Sequence, residues 1–265
     1  MMGRRTVTNI QLSIAAGLLL GLLFTTSPLT VAALALMVPV VALAGRGLPS
    51  SERRVLAALL VAALAVRAAA IGALVTIGIP EHNDLAIGSL TGDDAYYLSR
   101  AIRTRDVLAG FAGGKYDYFV IHDEYGRTSY LGLLTALQVI FGPTPFSMRL
   151  LNAVVFVAGA VLFFRMARRA FGSLPAMTGL ALLLFLPSLL WSSISLLKES
   201  AYFLCSAMVA YCALALTRRP AAGRTVACLA ALAVLIWLLD DLRRGAVVLS
   251  VSGLALGVLI RVAAV

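Results

Sequence analysis

The sequence predicts an all-α, polytopic membrane helix bundle of about eight transmembrane helices, with amphipathic juxtamembrane helices in its first large outer loop. Three observations predict it. Of the 265 residues 61% are hydrophobic and 13% are charged, and mean hydropathy is +0.97, whereas about 25% of a soluble domain is charged. The apolar residues fall into runs of about the length that crosses ~30 Å of hydrocarbon at ~1.5 Å per residue. The basic residues, which set a net charge of +10, are almost all arginines at the ends of these runs. That is a topological pattern and excludes a nucleic-acid partner.

Arg4 and Arg5 precede the first apolar run, 10–25, which has no A-x-A site closing it and is expected to be retained as a span and not cleaved as a signal peptide. Ser27-Pro28 leads into the second run, 29–44. Arg46, Arg53 and Arg54 separate it from the third, 55–79. These divide the chain into 1–54, two N-terminal spans, and 55–265, a transmembrane module with an outer loop at 80–146. In that loop a helix is expected over 93–109, closed by Gly110. Ala95, Leu98, Ile102 and Ala109 recur at helical spacing, with Arg100, Arg103, Thr104 and Asp106 on the other side, as in a helix lying on a membrane surface.

The apolar stretch 130–141 is short for a span. Further runs follow at 148–164, 174–195, 201–217, 225–239 and 246–260. If 130–141 stays on the surface, Arg4, Arg5, Arg46, Arg53, Arg54, Arg165, Arg168, Arg169, Arg218, Arg219 and Arg224 all share one side, as the positive-inside tendency requires. If it crosses, they divide. The outer face then carries 80–146, 196–200 and 240–245, and with them every carboxylate except Glu52.

Eight of the twelve carboxylates lie between Glu81 and Glu124, around Thr91-Gly-Asp-Asp-Ala-Tyr-Tyr-Leu-Ser-Arg100. Thr91-Gly-Asp-Asp94 is also a capping-box pattern, in which acids in the first turn stabilise a helix by ~0.3–1 kcal/mol, so spacing alone leaves capping and catalysis open. Lys198-Glu199-Ser200 is either a solvated turn or a cation placed to meet a lipid phosphate, with Glu199 tuning it. Arg243 and Arg244 lie on the outer face against the charge rule. They either pair with Asp240 and Asp241 or bind phosphate through the planar, bidentate geometry of the guanidinium.

Arg67, near the middle of its span, must face protein or water, and a structural partner is the first expectation for it. Cys205, Cys212 and Cys228 lack CxxC spacing and read as small buried hydrophobes. His82 and His122-Asp123-Glu124 supply groups that a hard divalent cation accepts, but no fixed ligand spacing. No other cofactor is implied.

Gly92-Asp-Asp-Ala-Tyr-Tyr-Leu98, just after a span and followed by an amphipathic helix, resembles the first-loop acidic motif of GT-C class glycosyltransferases such as protein O-mannosyltransferases and lipid A aminoarabinose transferases. The resemblance continues through Tyr130-Leu-Gly-Leu-Leu-Thr-Ala-Leu-Gln-Val-Ile-Phe-Gly142 and Ser147-Met-Arg-Leu-Leu-Asn-Ala153 to Ala167-Arg-Arg-Ala-Phe-Gly172. It covers roughly 55–265 and leaves out the first two spans. It implies that Asp93 is the catalytic aspartate and Asp94 its acidic neighbour. From their positions in the outer segments, Tyr97 and Glu199 are expected to touch substrate, and Lys198, Arg243 and Arg244 to hold the phosphate of the donor.

The expected function is transfer of a sugar from a polyprenyl-phosphate donor to a hydroxyl of a glycan, lipid or protein. It would take place at the outer face of a bacterial-type plasma membrane. Family members usually continue past the point where this chain ends, so the alternative is a noncatalytic or truncated membrane scaffold. A small transporter ranks last, because the acids lie at the surface and not at mid-membrane.

Overall fold

The computed structural model describes residues 27–77, 92–111, 128–217 and 221–263, with scattered residues before 27 and between 112 and 127. Among the described residues the chain is helical and contains no strand. The helices are α1 (Pro28–Gly45), α2 (Ser50–Ile77), α3 (Gly92–Leu108), α4 (Ser129–Phe141), α5 (Pro145–Phe171), α6 (Ser173–Phe185), α7 (Pro187–Ile194), α8 (Glu199–Leu216), α9 (Ala222–Leu242) and α10 (Ala246–Ala263).

Five of these, α1, α2, α5, α8 and α9, are long and apolar enough to cross a membrane, and a sixth span results if α6 and α7 are taken together. α10 is a shorter apolar helix, and most of the run 10–25 lies outside the described residues. Val, Leu and Trp side chains such as Val61, Leu182, Val234, Trp237 and Val258 are exposed on the outward faces. Apolar surface of this extent fits the lipid-facing side of a multi-pass membrane protein.

The run 174–195 reads as one span but is bent by 56° between α6 and α7. Pro187 causes it. Proline offers no N–H to continue the ladder and pushes the preceding residue out of the helical region. Leu186 accordingly sits at ψ 124°.

α5 is the central helix. More than half of its apolar stretch is buried, against fewer than a third in the other long helices, and it packs on α1, α2, α6, α7 and α8. At its crossing with α8, a Cβ added to Gly159 would stand 2.8 Å from Phe203 Cδ1 and 3.2 Å from the Leu204 backbone. Absence of a side chain is what lets the two helices meet, as small residues do at membrane helix interfaces. Gly159→Ala is expected to cost ~1–3 kcal/mol by overpacking, seen as earlier thermal aggregation in detergent. An unchanged midpoint would show that the crossing is loose.

The bundle has two distinguishable ends. At one, Thr30 of α1 meets Ser147 of α5, with their hydroxyl oxygens 2.7 Å apart. At the other, Arg165 of α5 donates to the carbonyls of Leu43 and Arg46, at 2.5 and 3.0 Å, and Arg168 pairs with Glu52 of α2 at 3.2 Å. α3 and α4 lie together at the Thr30–Ser147 end. There Tyr97, Leu98, Ala101 and Ile102 of α3 share one core with Tyr130, Leu131 and Leu134 of α4, Met148 of α5, Leu196 and Leu242. Both ends of α4 remain at this end of the bundle. Ser129 contacts Asp241, and Phe141 packs on the same core.

α3 matches the expected amphipathic helix within one residue at each end. Its close is a Schellman turn: Phe111 N–H donates to Asp106 and Gly110 N–H to Val107, with Gly110 at φ 78°, a conformation that suits only glycine well. The expected polar face is corrected at Arg100, which is buried. Its guanidinium lies over the Tyr96 ring, 5.6 Å from the centroid, and bonds the Tyr96 hydroxyl. A local aromatic partner one turn away makes burial of that cation tolerable.

Candidate active site at one end of the bundle

The Asp pair is split by the fold. Successive residues of an α-helix point ~100° apart, and Asp94, three, four and seven residues before the buried Tyr97, Leu98 and Ala101, lies on their inward face, while Asp93 falls at its edge. Asp94 is fully buried and Asp93 is exposed. One oxygen of Asp94 accepts from Arg149 Nη1 at 2.6 Å, and Arg149 is itself fully buried. The other oxygen accepts the Leu196 backbone N–H at 3.0 Å. Asp94 therefore ties α3 to the start of the central helix α5 and to the turn between α7 and α8.

That turn is held from three more directions. Asn152 Nδ2 donates to the Ser195 carbonyl at 2.6 Å, and Arg149 reaches the Ile194 carbonyl at 3.5 Å. Arg67 of α2 donates through Nε to Ser193 Oγ at 2.9 Å and through Nη1 to its own helix at Ala63, with its guanidinium 5.3 Å from the centre of the Phe156 ring. Arg67 thus has the structural partners expected for it, joining α2, α5 and α7. Its described contacts include no carboxylate of the kind a mid-membrane transport site would need.

Tyr97 is buried and stacks edge-to-face with Tyr130 at 5.7 Å and with Tyr96 at 5.6 Å, contacts worth ~0.5–1.5 kcal/mol each. It packs α3 on α4. The Tyr130 hydroxyl and Ser200 Oγ are buried without a hydrogen-bond partner among the described residues. Burial first, and then the negative charges of Asp94 and Glu199, holds the Tyr130 phenol above its ordinary range.

Around this buried centre stand the remaining candidates. Lys198 is half-buried at the start of α8, with Glu199 exposed in the first turn. Asp240 and Asp241 do not pair with the arginines that follow them. Asp240 accepts N–H bonds from Gly245 at 3.0 Å and Val247 at 3.4 Å, closing the α9–α10 turn. Asp241 accepts the Ser129 N–H at 2.6 Å, at the positive end of α4. Arg243 and Arg244 are left exposed, with no ion pair among the described residues. The structure therefore brings the 92–98, 196–200 and 240–245 segments together at one end, as the sequence reading requires.

An open groove of about 560 Å³ runs between α3 and α4, along the part of α3 from Arg100 to Leu108. Arg100 and Thr104 form one wall, and Leu131, Thr135 and Val139 the other.

Among the described residues no group of three or more His, Cys, Asp or Glu side chains is placed to hold a metal. Of the residues considered for a cation, His122 is exposed, while His82, Asp123 and Glu124 lie outside the described residues, as does Thr91 of the capping pattern. The three cysteines are half-buried and free.

Arg149 and Asn152 are the residues that reading the sequence missed. A signal was present, since Arg149 stands in the first turns of an apolar helix where a charge is costly without a partner. Nothing local identifies that partner 55 residues away. No protein-family model, curated protein or solved structure matches the chain.

Proposed function

We infer that the chain is a membrane glycosyltransferase that moves a sugar from a polyprenyl-phosphate donor to an acceptor hydroxyl at the outer face of a bacterial-type plasma membrane, within a bundle of eight spans. The observation that carries this reading is the division of labour at the site. Asp94 is locked into the fold, while Asp93 next to it is an exposed carboxylate on the same end of the bundle as three cations, Lys198, Arg243 and Arg244, that have no carboxylate partner among the described residues.

In the proposed reaction the bond between the sugar's anomeric carbon and the donor phosphate breaks, and its electron pair leaves on the phosphate. The acceptor oxygen forms the new bond and gives its proton to Asp93. A phosphate leaves without a strong acid, so the chemistry needs a base and cations to hold the leaving charge, which are the groups this end supplies. The groove between α3 and α4 offers an apolar path for the prenyl chain. The acceptor is a glycan, lipid or protein hydroxyl. A noncatalytic scaffold would keep the buried Asp94–Arg149 pair equally well, but has no use for an exposed acid at the same end as cations that have no carboxylate partner among the described residues.

Two measurements test this reading. In a variant with Cys205, Cys212 and Cys228 replaced, Phe111→Cys and Glu199→Cys are expected to react with an impermeant maleimide from outside, and Ser51→Cys and Thr217→Cys are not. Outside labelling of Ser51→Cys would place the site on the wrong face. Lys198→Ala and Arg243→Ala are expected to raise KM for the phosphate-linked donor while leaving the protein inserted and stable. An unchanged KM in both would remove the phosphate clamp.

A further inference from the structure

We propose that the pocket between the end of α1 and the start of α2 binds the headgroup of an anionic phospholipid. This pocket lies at the opposite end of the bundle from Asp93 and is independent of the glycosyl-transfer reading. It encloses about 340 Å³, with Arg46 and Arg53 at its rim and Val41, Ala42, Leu56 and Ala57 among its apolar lining.

The local geometry prepares it for an anion. The absence of a side chain at Gly45 lets the stem of Arg53 lie across α1, where an added Cβ would be 3.2 Å from Arg53 Cγ and Cδ. Gly47, at φ 76°, turns the chain sharply between the two arginines. The end of a helix ordinarily repels anions through its free carbonyls. Here Arg165 covers those of Leu43 and Arg46, so the negative end of α1 is neutralised. Glu52, the one carboxylate nearby, is taken by Arg168 at 3.2 Å. Arg46 and Arg53 are exposed and have no ion pair among the described residues.

A ligand for this pocket needs two features at once. Guanidinium groups select phosphate oxygens through bidentate hydrogen bonds. On the same helix ends Val38, Leu43 and Val55 are exposed and offer apolar surface for acyl chains. A phosphodiester carrying two chains and no compensating cation meets both demands. A zwitterionic lipid brings its own cation, and free phosphate leaves the apolar wall unused. Basic pockets between transmembrane helices on the arginine-rich side are suited to such headgroups.

The test reconstitutes the full chain in phosphatidylcholine nanodiscs containing a trace of photoactivatable phosphatidylglycerol, and maps the crosslinked peptides by mass spectrometry. Crosslinks to the α1–α2 segment are expected. They should fall at least about tenfold in R46Q/R53Q, as two lost surface arginines imply, and stay near the unmutated level in R169Q, whose arginine lies at the same end outside the pocket. Three results would overturn the proposal. One is equal crosslinking by a photoactivatable phosphatidylcholine. Another is equal loss in R169Q, which would mean a diffuse basic surface. The third is full competition by inorganic phosphate, which would mean a site for the free anion. Maleimide labelling of Phe111→Cys and Ser51→Cys in the R46Q/R53Q background checks that orientation is kept.

Discussion

Arg149→Ala is expected to destabilise the protein by ~3–5 kcal/mol, because it leaves the buried Asp94 carboxylate without its cation. That corresponds to a fall of roughly 6–20 °C in the thermal aggregation midpoint of a domain of this size. Asp94→Ala should do comparable harm, by stranding Arg149 and removing the acceptor of the Leu196 N–H.

The double variant Asp94→Leu, Arg149→Met separates an ion pair that stabilises from one that is merely intolerant of being halved. Replacing both partners with apolar groups of similar size is often neutral, so the double variant should be more stable than either single one. It should still fall short of the original, because the Leu196 N–H loses its partner at a cost of ~1–3 kcal/mol. A midpoint for Arg149→Ala equal to that of the unmutated chain would show that the pair holds nothing together. A double variant no better than the singles would mean that the pair acts through geometry that apolar side chains cannot reproduce.

Asp93→Asn is expected to do the reverse, leaving the fold intact and removing transfer. The side chain is exposed, and surface changes of this kind lie within about ±0.5 kcal/mol. Asparagine also suits a helix start about as well as aspartate, so a role in capping alone predicts no loss. Loss of a general base predicts a fall of ~10²- to 10⁴-fold in turnover. Opposite outcomes at neighbouring residues, stability lost at Asp94 and activity lost at Asp93, would be hard to obtain from any arrangement that did not divide the pair into anchor and base.

Much of this organisation is legible in the sequence. Runs of apolar residues marked the long helices, and Gly110, Gly142 and Gly172, all at positive φ in the structure, close α3, α4 and α5 near where those residues suggest. The short stretch 130–141 lies with α3 as a helix of 13 residues, about 20 Å at ~1.5 Å per residue. The bend at Pro187 was not read, because apolar composition runs through it unbroken and only the loss of one N–H marks it. Asp94, four and eight residues before Leu98 and Ile102, shares their apolar face, so the spacing holds a trace of which aspartate faces inward, whereas its partners Arg149 and Leu196 are tertiary facts with no local sign. The same holds for Asp240 and Asp241, whose carboxylates look made for Arg243 and Arg244 and instead cap backbone amides. Arg100 was assigned to the polar face by its charge alone, although Tyr96 one turn earlier was in position to shelter it.

The reading of this end of the bundle as a transferase site is tested most directly by the initial rate of sugar transfer in proteoliposomes. The purified chain would be supplied with a panel of polyprenyl-phosphate sugars and hydroxyl acceptors, with product detected by mass spectrometry, and Asp93→Asn run beside it at matched amount and orientation. The expected result is a glycosylated acceptor and free polyprenyl phosphate in equal amounts from the unmutated protein, with the rate lowered ~10²- to 10⁴-fold in Asp93→Asn. Equal rates in the two proteins, or no product with any donor from protein that is inserted and monodisperse, would contradict it.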